Sequence, residues 1–276
     1  MIKDIVVNLS LGEGRDSAAD YAISVADAFG AHLAGVSFIY DPVIPATVMG
    51  GGIPAELIES QRRENETAAS DAAARFETAA KRAGISFEVR KTDASTAGGA
   101  DRFARFARRF DIAIAGQARP NGSIAEDLIL ESALFEAGRP VIAVPYIQKE
   151  ALKLDRVLVC WDGSRTAARA VADAMPFLTR AKAVELVIVV ERGKQDEIPG
   201  VNMAQHLARH DVNVTVNRIP MGDTAVADVL LSHSADSSAD FVVMGGYGHS
   251  RLREFILGGA TRSMLTAMTV PTLLSH

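Results

Sequence analysis

"DFVVMGGYGHSRLREFILGGATRSMLTAMTVPTLLSH", residues 240–276, closes the chain, and "DIAIAGQARPNGSIAEDLILESALFEAGRPVIAVPY", residues 111–146, falls midway along it. The two stretches run in step. Each opens on Asp and continues through an apolar run, a turn containing Gly, a helical pattern and a Pro next to β-branched residues. Pro140 and Pro271 hold equivalent places. The correspondence reaches the front of each half. "DIVVNLS" from Asp4 parallels "RVLVCWDGS" from Arg156, and "AISVADAFGAHLAGVSFIY" from Ala22 parallels "AVADAMPFLTRAKAVELVIVV" from Ala170. Such self-similarity marks an internal repeat. The polar stretch "IQKEALKLD", Ile147–Asp155, reads as a linker between halves 1–146 and 156–276.

Within the second half, apolar runs alternate with helical spacing. Val157–Trp161, Val184–Val190, Val212–Ile219, Phe241–Met244 and Val270–Leu274 read as strands. Arg165–Thr179, Met203–Arg209, Thr224–Ala235 and Gly259–Met268 read as helices. The first half follows the same plan and adds a long helical pattern, Pro54–Ala83, after the loop "PATVMGGGIP". Apolar strands separated by helices predict an α/β fold with parallel strands and helices on both faces. The expectation is two tandem, doubly wound, parallel five-stranded sheets.

Composition narrows the function. Nearly half of the 276 residues are hydrophobic, enough for a sizeable core. Net charge is −5 and neither half carries a basic run, which argues against a nucleic-acid surface. Cys160 is the only cysteine, so an intrachain disulfide is impossible, in keeping with a reducing cytoplasm. The opening "MIKDIVVNLS" lacks the features of a signal peptide, and no window approaches the ~18 apolar residues of a spanning helix. The expectation is a cytoplasmic protein with neither a nucleic-acid nor a membrane partner.

Open α/β sheets bind ligands beyond the carboxyl ends of their strands. Three strand ends in the second half carry a coherent set: Asp162-Gly163-Ser164, then Val189-Val190, then Gly245-Gly246-Tyr247-Gly248. A carboxylate accepts hydrogen bonds from ribose hydroxyls or an adenine amino group. Apolar Cys160, Val189 and Met244 suit a purine. Glycines let backbone N–H groups approach phosphates, and a helix start adds a favourable dipole. Gly258-Gly259 immediately precedes "ATRSMLTAM", with Thr261 in the first helical turn.

These residues resemble the universal stress protein family, in its nucleotide-binding branch. That branch carries Gly, two residues, Gly, nine residues, Gly, then Ser or Thr. Here the pattern is Gly245, Gly248, the nine residues "HSRLREFIL", then Gly258. The family's strand-one Asp appears as Asp162, its Met-Gly strand end as "FVVMG", and its loop glycine as Gly222. The resemblance covers the whole chain as two tandem domains with the adenine-nucleotide alpha-hydrolase-like fold. It implies that Cys160, Asp162 and Val189 meet adenine and ribose. It also implies that Met244, Gly245, Gly248, Gly258, Gly259, Ala260 and Thr261 run along the phosphates, with His249 adding a donor. Gly259 departs from the pattern, standing where the family has a hydroxyl. One neutral donor is worth ~1 kcal/mol net, so its loss weakens binding roughly tenfold.

The first half departs further. Ser10 stands near the place of Asp162, Arg119 replaces Gly248, and Glu126 and Asp127 would face a phosphate. It is expected not to bind nucleotide. Family members dimerise through their last strands, which here predicts an internal pseudo-dimer through Val141–Pro145 and Val270–Leu274. Whether the chain forms a homodimer as well is not legible.

Asp162-Gly163 is also an ordinary turn, Thr261 an ordinary helix cap, Trp161 a packing residue and Cys160 a small buried apolar group. His206, His210 and His233 read as surface helix residues. A phosphate-loop lysine motif and a serine-nucleophile elbow are both missing from the sequence, and no general base stands beside the glycines. The reading is a stress-response binding and signalling protein that takes ATP, or ADP or AMP, in its second half, with Mg²⁺ held through the phosphates. It has no catalytic residues and no protein metal ligands. The rival classes are a slow ATPase or phosphotransferase, and a nucleotide-free interaction module.

Overall fold

The computed structural model describes residues 1–12, 14–42, 55–119, 124–190, 200–246 and 260–276. The loop "PATVMGGGIP" and candidate residues Gly248, His249, Gly258 and Gly259 lie outside the described residues. The first half supplies strands β1 (Asp4–Asn8), β2 (His32–Tyr40), β3 (Phe87–Ala94), β4 (Ile112–Gly116) and β5 (Val141–Val144). Its helices are α1 (Ser17–Phe29), α2 (Ala55–Ala83), α3 (Thr96–Ala107) and α4 (Ile124–Glu136). The second half repeats the order with β6 (Arg156–Cys160), β7 (Ala183–Val190), β8 (Val214–Pro220), β9 (Phe241–Gly245) and β10 (Thr272–Ser275). Its described helices are α5 (Arg165–Leu178), α6 (Gly200–Ala208), α7 (Val226–Asp236) and α8 (Ala260–Ala267).

Short polar side chains start three of the helices that follow strands, α1, α3 and α5. Asp16 accepts the Ala19 N–H at 3.0 Å ahead of α1. Ser95 accepts from Gly98 at 3.1 Å ahead of α3, and Ser164 from Ala167 at 3.1 Å ahead of α5. Each satisfies a backbone donor that the first helical turn leaves unpaired.

The strands form one ten-stranded sheet in the order β3-β2-β1-β4-β5-β10-β9-β6-β7-β8. This bears out the expected pairing of the two last strands: two parallel five-stranded sets meet edge to edge as one sheet. Each half keeps its parallel set of five, and the two sets fuse through one antiparallel pair, with Leu273 opposite Ile142. The fusion removes two apolar edges that would otherwise invite intermolecular pairing. The paired strands are Val141–Val144 and Thr272–Ser275. Pro145 and Val270 fall outside them, while the carbonyls of Pro140 and Pro271 accept from Ala113 and Val242, each at 3.0 Å. The stretch between β5 and β6 contains neither helix nor strand.

Helices cover both faces. One layer packs Tyr21 and Ala22 of α1, Phe76 of α2, Phe177 of α5 and Leu207 of α6 against the sheet. The other packs Phe103 of α3, Ile129 of α4, Leu230 of α7 and Met264 of α8. Each layer runs without a break across the two halves. At their junction Phe29 meets Phe177 edge to face, ring centroids 4.9 Å apart, and the Arg180 guanidinium lies 4.0 Å from the Phe29 centroid.

Candidate functional site

In the second half, β6 is flanked by β7 on one side and β9 on the other. The chain leaves β6 for β7 and returns on its far side as β9, so the crevice beyond β6 and β9 is the topological switch point. The residue pair that closes this end is Cys160 opposite Met244. Cys160 also stands opposite Val187 on β7, and Val189 lies two residues further along the same face. Cys160, Val189, Met244 and Ile219 of β8 all pack on the α7 and α8 side. The three apolar residues expected to contact a purine are thus brought together, and Ile219 extends their wall. Ile219 went unnoticed in sequence because only strand pairing brings the end of β8 beside Val189.

Asp162 follows β6 by two residues and is exposed. Its Oδ1 accepts the Ser164 N–H at 2.9 Å, and the Ser164 hydroxyl lies 3.1 Å from that of Thr166. One carboxylate oxygen therefore builds the turn into α5, while Oδ2 has no partner among the described residues. The Cys160 thiol is pushed up to about 12, mainly by burial and secondarily by the Asp162 carboxylate, so it is a neutral apolar group at physiological pH.

Gly245 has a packing reason of its own. A Cβ there would lie 2.6 Å from the backbone nitrogen of Ala167 and 2.7 Å from the Thr166 hydroxyl. The first turn of α5 approaches the end of β9 too closely for any side chain. A Cβ at Gly246 would lie 3.0 Å from Leu134 of α4, in the other half. Gly222 sits in an exposed loop, where an added Cβ would meet nothing within 4 Å. Ala260 is half-buried at the start of α8, and Thr261 shares the buried stripe of that helix with Met264 and Met268. Among the described residues no group of three or more His, Cys, Asp or Glu is placed to hold a metal ion.

The corresponding crevice of the first half is furnished differently. Ser10 donates its hydroxyl to Glu126 Oε1 at 2.8 Å, and its N–H goes to Asp16 at 2.8 Å. The Tyr40 hydroxyl is pushed up to about 12 by burial first and by Glu126 second, which puts that carboxylate near the end of β2 as well. Glu126 thus brings negative charge to the place where a phosphate would enter.

A universal stress protein from Archaeoglobus fulgidus DSM 4304 superimposes over 99% of this chain and 95% of its own, with a TM-score of 0.71 at 18% sequence identity. The chain has the universal stress protein fold. A putative universal stress protein from Pseudomonas aeruginosa UCBPP-PA14 shares it, with a TM-score of 0.61, 14% identity, and coverage of 99% of this chain and 93% of that one. A functionally unknown protein from Pseudomonas aeruginosa PAO1 follows at a TM-score of 0.58 and 12% identity, covering 99% and 92%. No protein-family model and no curated protein sequence matches the chain. The likeness to universal stress proteins therefore rests on fold and on the glycine pattern. Among the described residues no helix is long and apolar enough to cross a membrane.

Proposed function

We propose that this chain is a tandem universal stress protein, with domains 1–146 and 156–276, whose second domain binds an adenine nucleotide at the switch point between β6 and β9. The observation that carries the reading is the pairing of Cys160 with Met244 at that crevice, with the exposed Asp162 carboxylate two residues beyond. The base lies against Cys160, Val189 and Met244. Asp162 Oδ2 accepts from the ribose. The phosphates run toward the start of α8 at Ala260 and Thr261, where a helix dipole favours negative charge. Gly248, His249, Gly258 and Gly259 take their phosphate roles from the sequence pattern, and Mg²⁺ is held by phosphate oxygens. The first domain does not bind nucleotide, because Ser10 and Glu126 occupy the equivalent crevice. The protein works in the cytoplasm as a stress-response binding and signalling protein, its nucleotide acting as a ligand rather than a substrate.

Calorimetric titration of ATP into the full chain tests this. Saturable binding at one site per chain is expected, weakened roughly tenfold in Asp162→Asn, which keeps the acceptor for the Ser164 N–H but gives up the charge. Absence of heat, or equal affinity in Asp162→Asn and Gly248→Val, would refute the site. Phosphate release near 1 s⁻¹ would instead make the protein an ATPase.

A further inference from the structure

The first half holds a cleft of about 610 Å³ between α3 and the outer strands β2 and β3. Its floor is apolar, made by Val36 and Phe38 of β2 and by Phe106 of α3. Its walls are cationic, with Arg90 on β3 and Arg102, Arg105 and Arg109 from α3 and the turn after it. Arg102 and Phe106 are four residues apart on α3, one helical turn, and Arg109 follows three residues later in the turn beyond it. The guanidiniums of Arg90 and Arg109 lie 4.7 and 4.5 Å from the Phe106 ring centroid.

Carboxylates neutralise only part of this charge. Arg90 pairs with Glu88 through two bonds, at 3.0 and 3.2 Å, and Arg105 pairs with Asp101. Arg102 donates to the neutral Thr92 hydroxyl at 3.2 Å. Among the described residues neither Arg102 nor Arg109 has a carboxylate partner. Two uncompensated guanidiniums thus face one apolar-floored cleft in a chain whose net charge is −5.

We infer that this cleft is a binding site for a small anionic ligand with a flat apolar body. The body lies along the apolar floor at Phe38 and the edge of Phe106, whose faces the guanidiniums and the stacked Phe110 cover, and a phosphate group is gripped by Arg102 and Arg109. The volume is that of a small-molecule site, and an apolar floor with a few convergent polar groups is how such sites combine affinity with orientation. Guanidinium forks match phosphate oxygens in pairs, and a cation stacked on an aromatic ring is held in place for that contact. The site shares no residue with the proposed nucleotide crevice, so each stands or fails alone.

The test uses the full chain and 1-naphthyl phosphate, whose fluorescence anisotropy reports binding. Wild type and Asp162→Asn should bind it saturably and with equal affinity, weakening as salt is raised. The double variant Arg102→Gln/Arg109→Gln should lose at least about tenfold in affinity. Both residues are exposed, so the fold is expected to survive, and circular dichroism checks it. Arg102→Lys/Arg109→Lys keeps the charge without the forks and should fall between the two. Unchanged affinity in the glutamine variant, loss of binding in Asp162→Asn, or no saturable binding to wild type would each overturn the assignment. Single-stranded DNA displacing the probe at lower concentration than inorganic pyrophosphate would overturn it in favour of a polymer.

Discussion

Gln117 Nε2, at the end of β4 in the first half, donates to the carbonyl oxygen of Leu265 at 2.9 Å in the last helix of the second. The same nitrogen reaches Thr266 O, also at 2.9 Å, and Gln117 Oε1 accepts the Tyr146 N–H at 3.4 Å. One buried side chain thus satisfies two carbonyls in the last turn of α8 and the backbone leaving β5. Replacing it with Met keeps the length and removes both donors. Leu265 is half-buried and Thr266 exposed, so water recovers part of the loss and the cost is about 1 kcal/mol. Gln117→Met should therefore unfold at lower urea with an unchanged slope. An unchanged midpoint would show that water takes over both carbonyls.

Gly245 separates packing from ligand binding. A Cβ at this position would meet backbone atoms of α5, which have no rotamer to yield, so Gly245→Ala should lose about 1–3 kcal/mol. The equivalent Gly116 is a built-in control, because its added Cβ would meet only the Ala18 methyl at 3.6 Å, an ordinary contact. Gly116→Ala should be near neutral, and Gly246→Ala intermediate, since the flexible end of Leu134 can move. Thermal unfolding of the three variants gives the order. Equal melting temperatures would contradict the close approach of α5 to β9.

The fold was legible because every signal for it is local or repeated. Apolar strands, helical spacing and the Pro140 and Pro271 landmarks occur twice, and each copy supports the other. Even the pairing of the two last strands, which joins the halves into a single sheet, was readable from the resemblance, although its register was not. The candidate crevice was readable only as strand ends. That Cys160 faces Met244 follows from pairing between residues far apart in the chain. The tight fit at Gly245 depends on Thr166 and Ala167 arriving from another element, so the sequence suggested a turn or a ligand for this glycine but not a packing role. The arginine cleft escaped notice for the same reason. Arg102, Arg105 and Arg109 fall within eight residues, but Arg90 and the apolar floor of Val36 and Phe38 come from other elements, so the sequence does not show them as one cleft.

Cys160 gives a prediction with a definite sign. Its thiol is raised from 9.0 to about 12 because burial penalises the thiolate. Below pH 9 the folded protein therefore carries about a thousandfold less thiolate than an ordinary cysteine. Alkylation by iodoacetamide at pH 8 should be at least about a hundredfold slower in the folded chain than in urea. Its rate should keep rising about tenfold per pH unit through pH 10, where a free thiol has levelled off. Comparable labelling of the two states would place Cys160 in open solvent and undo the apolar wall.

The junction of the halves can be tested at Leu273. It lies on β10 between β5 and β9, opposite Ile142 on one side and Val243 on the other, and is fully buried. With neighbours on both sides, a strand N–H points at one or the other, so proline removes a ladder bond and crowds the sheet, at about 3 kcal/mol or more. Leu273→Pro should therefore split the unfolding transition. The first half loses the partner of β5 but keeps its five parallel strands, whereas the second is disrupted inside its own sheet. Trp161 fluorescence, which reports the second half alone, should then change at lower denaturant than circular dichroism, which reports both. Coincident transitions would mean that the halves stay one cooperative unit without the antiparallel pair, held together by the helix layers around Phe29 and Phe177.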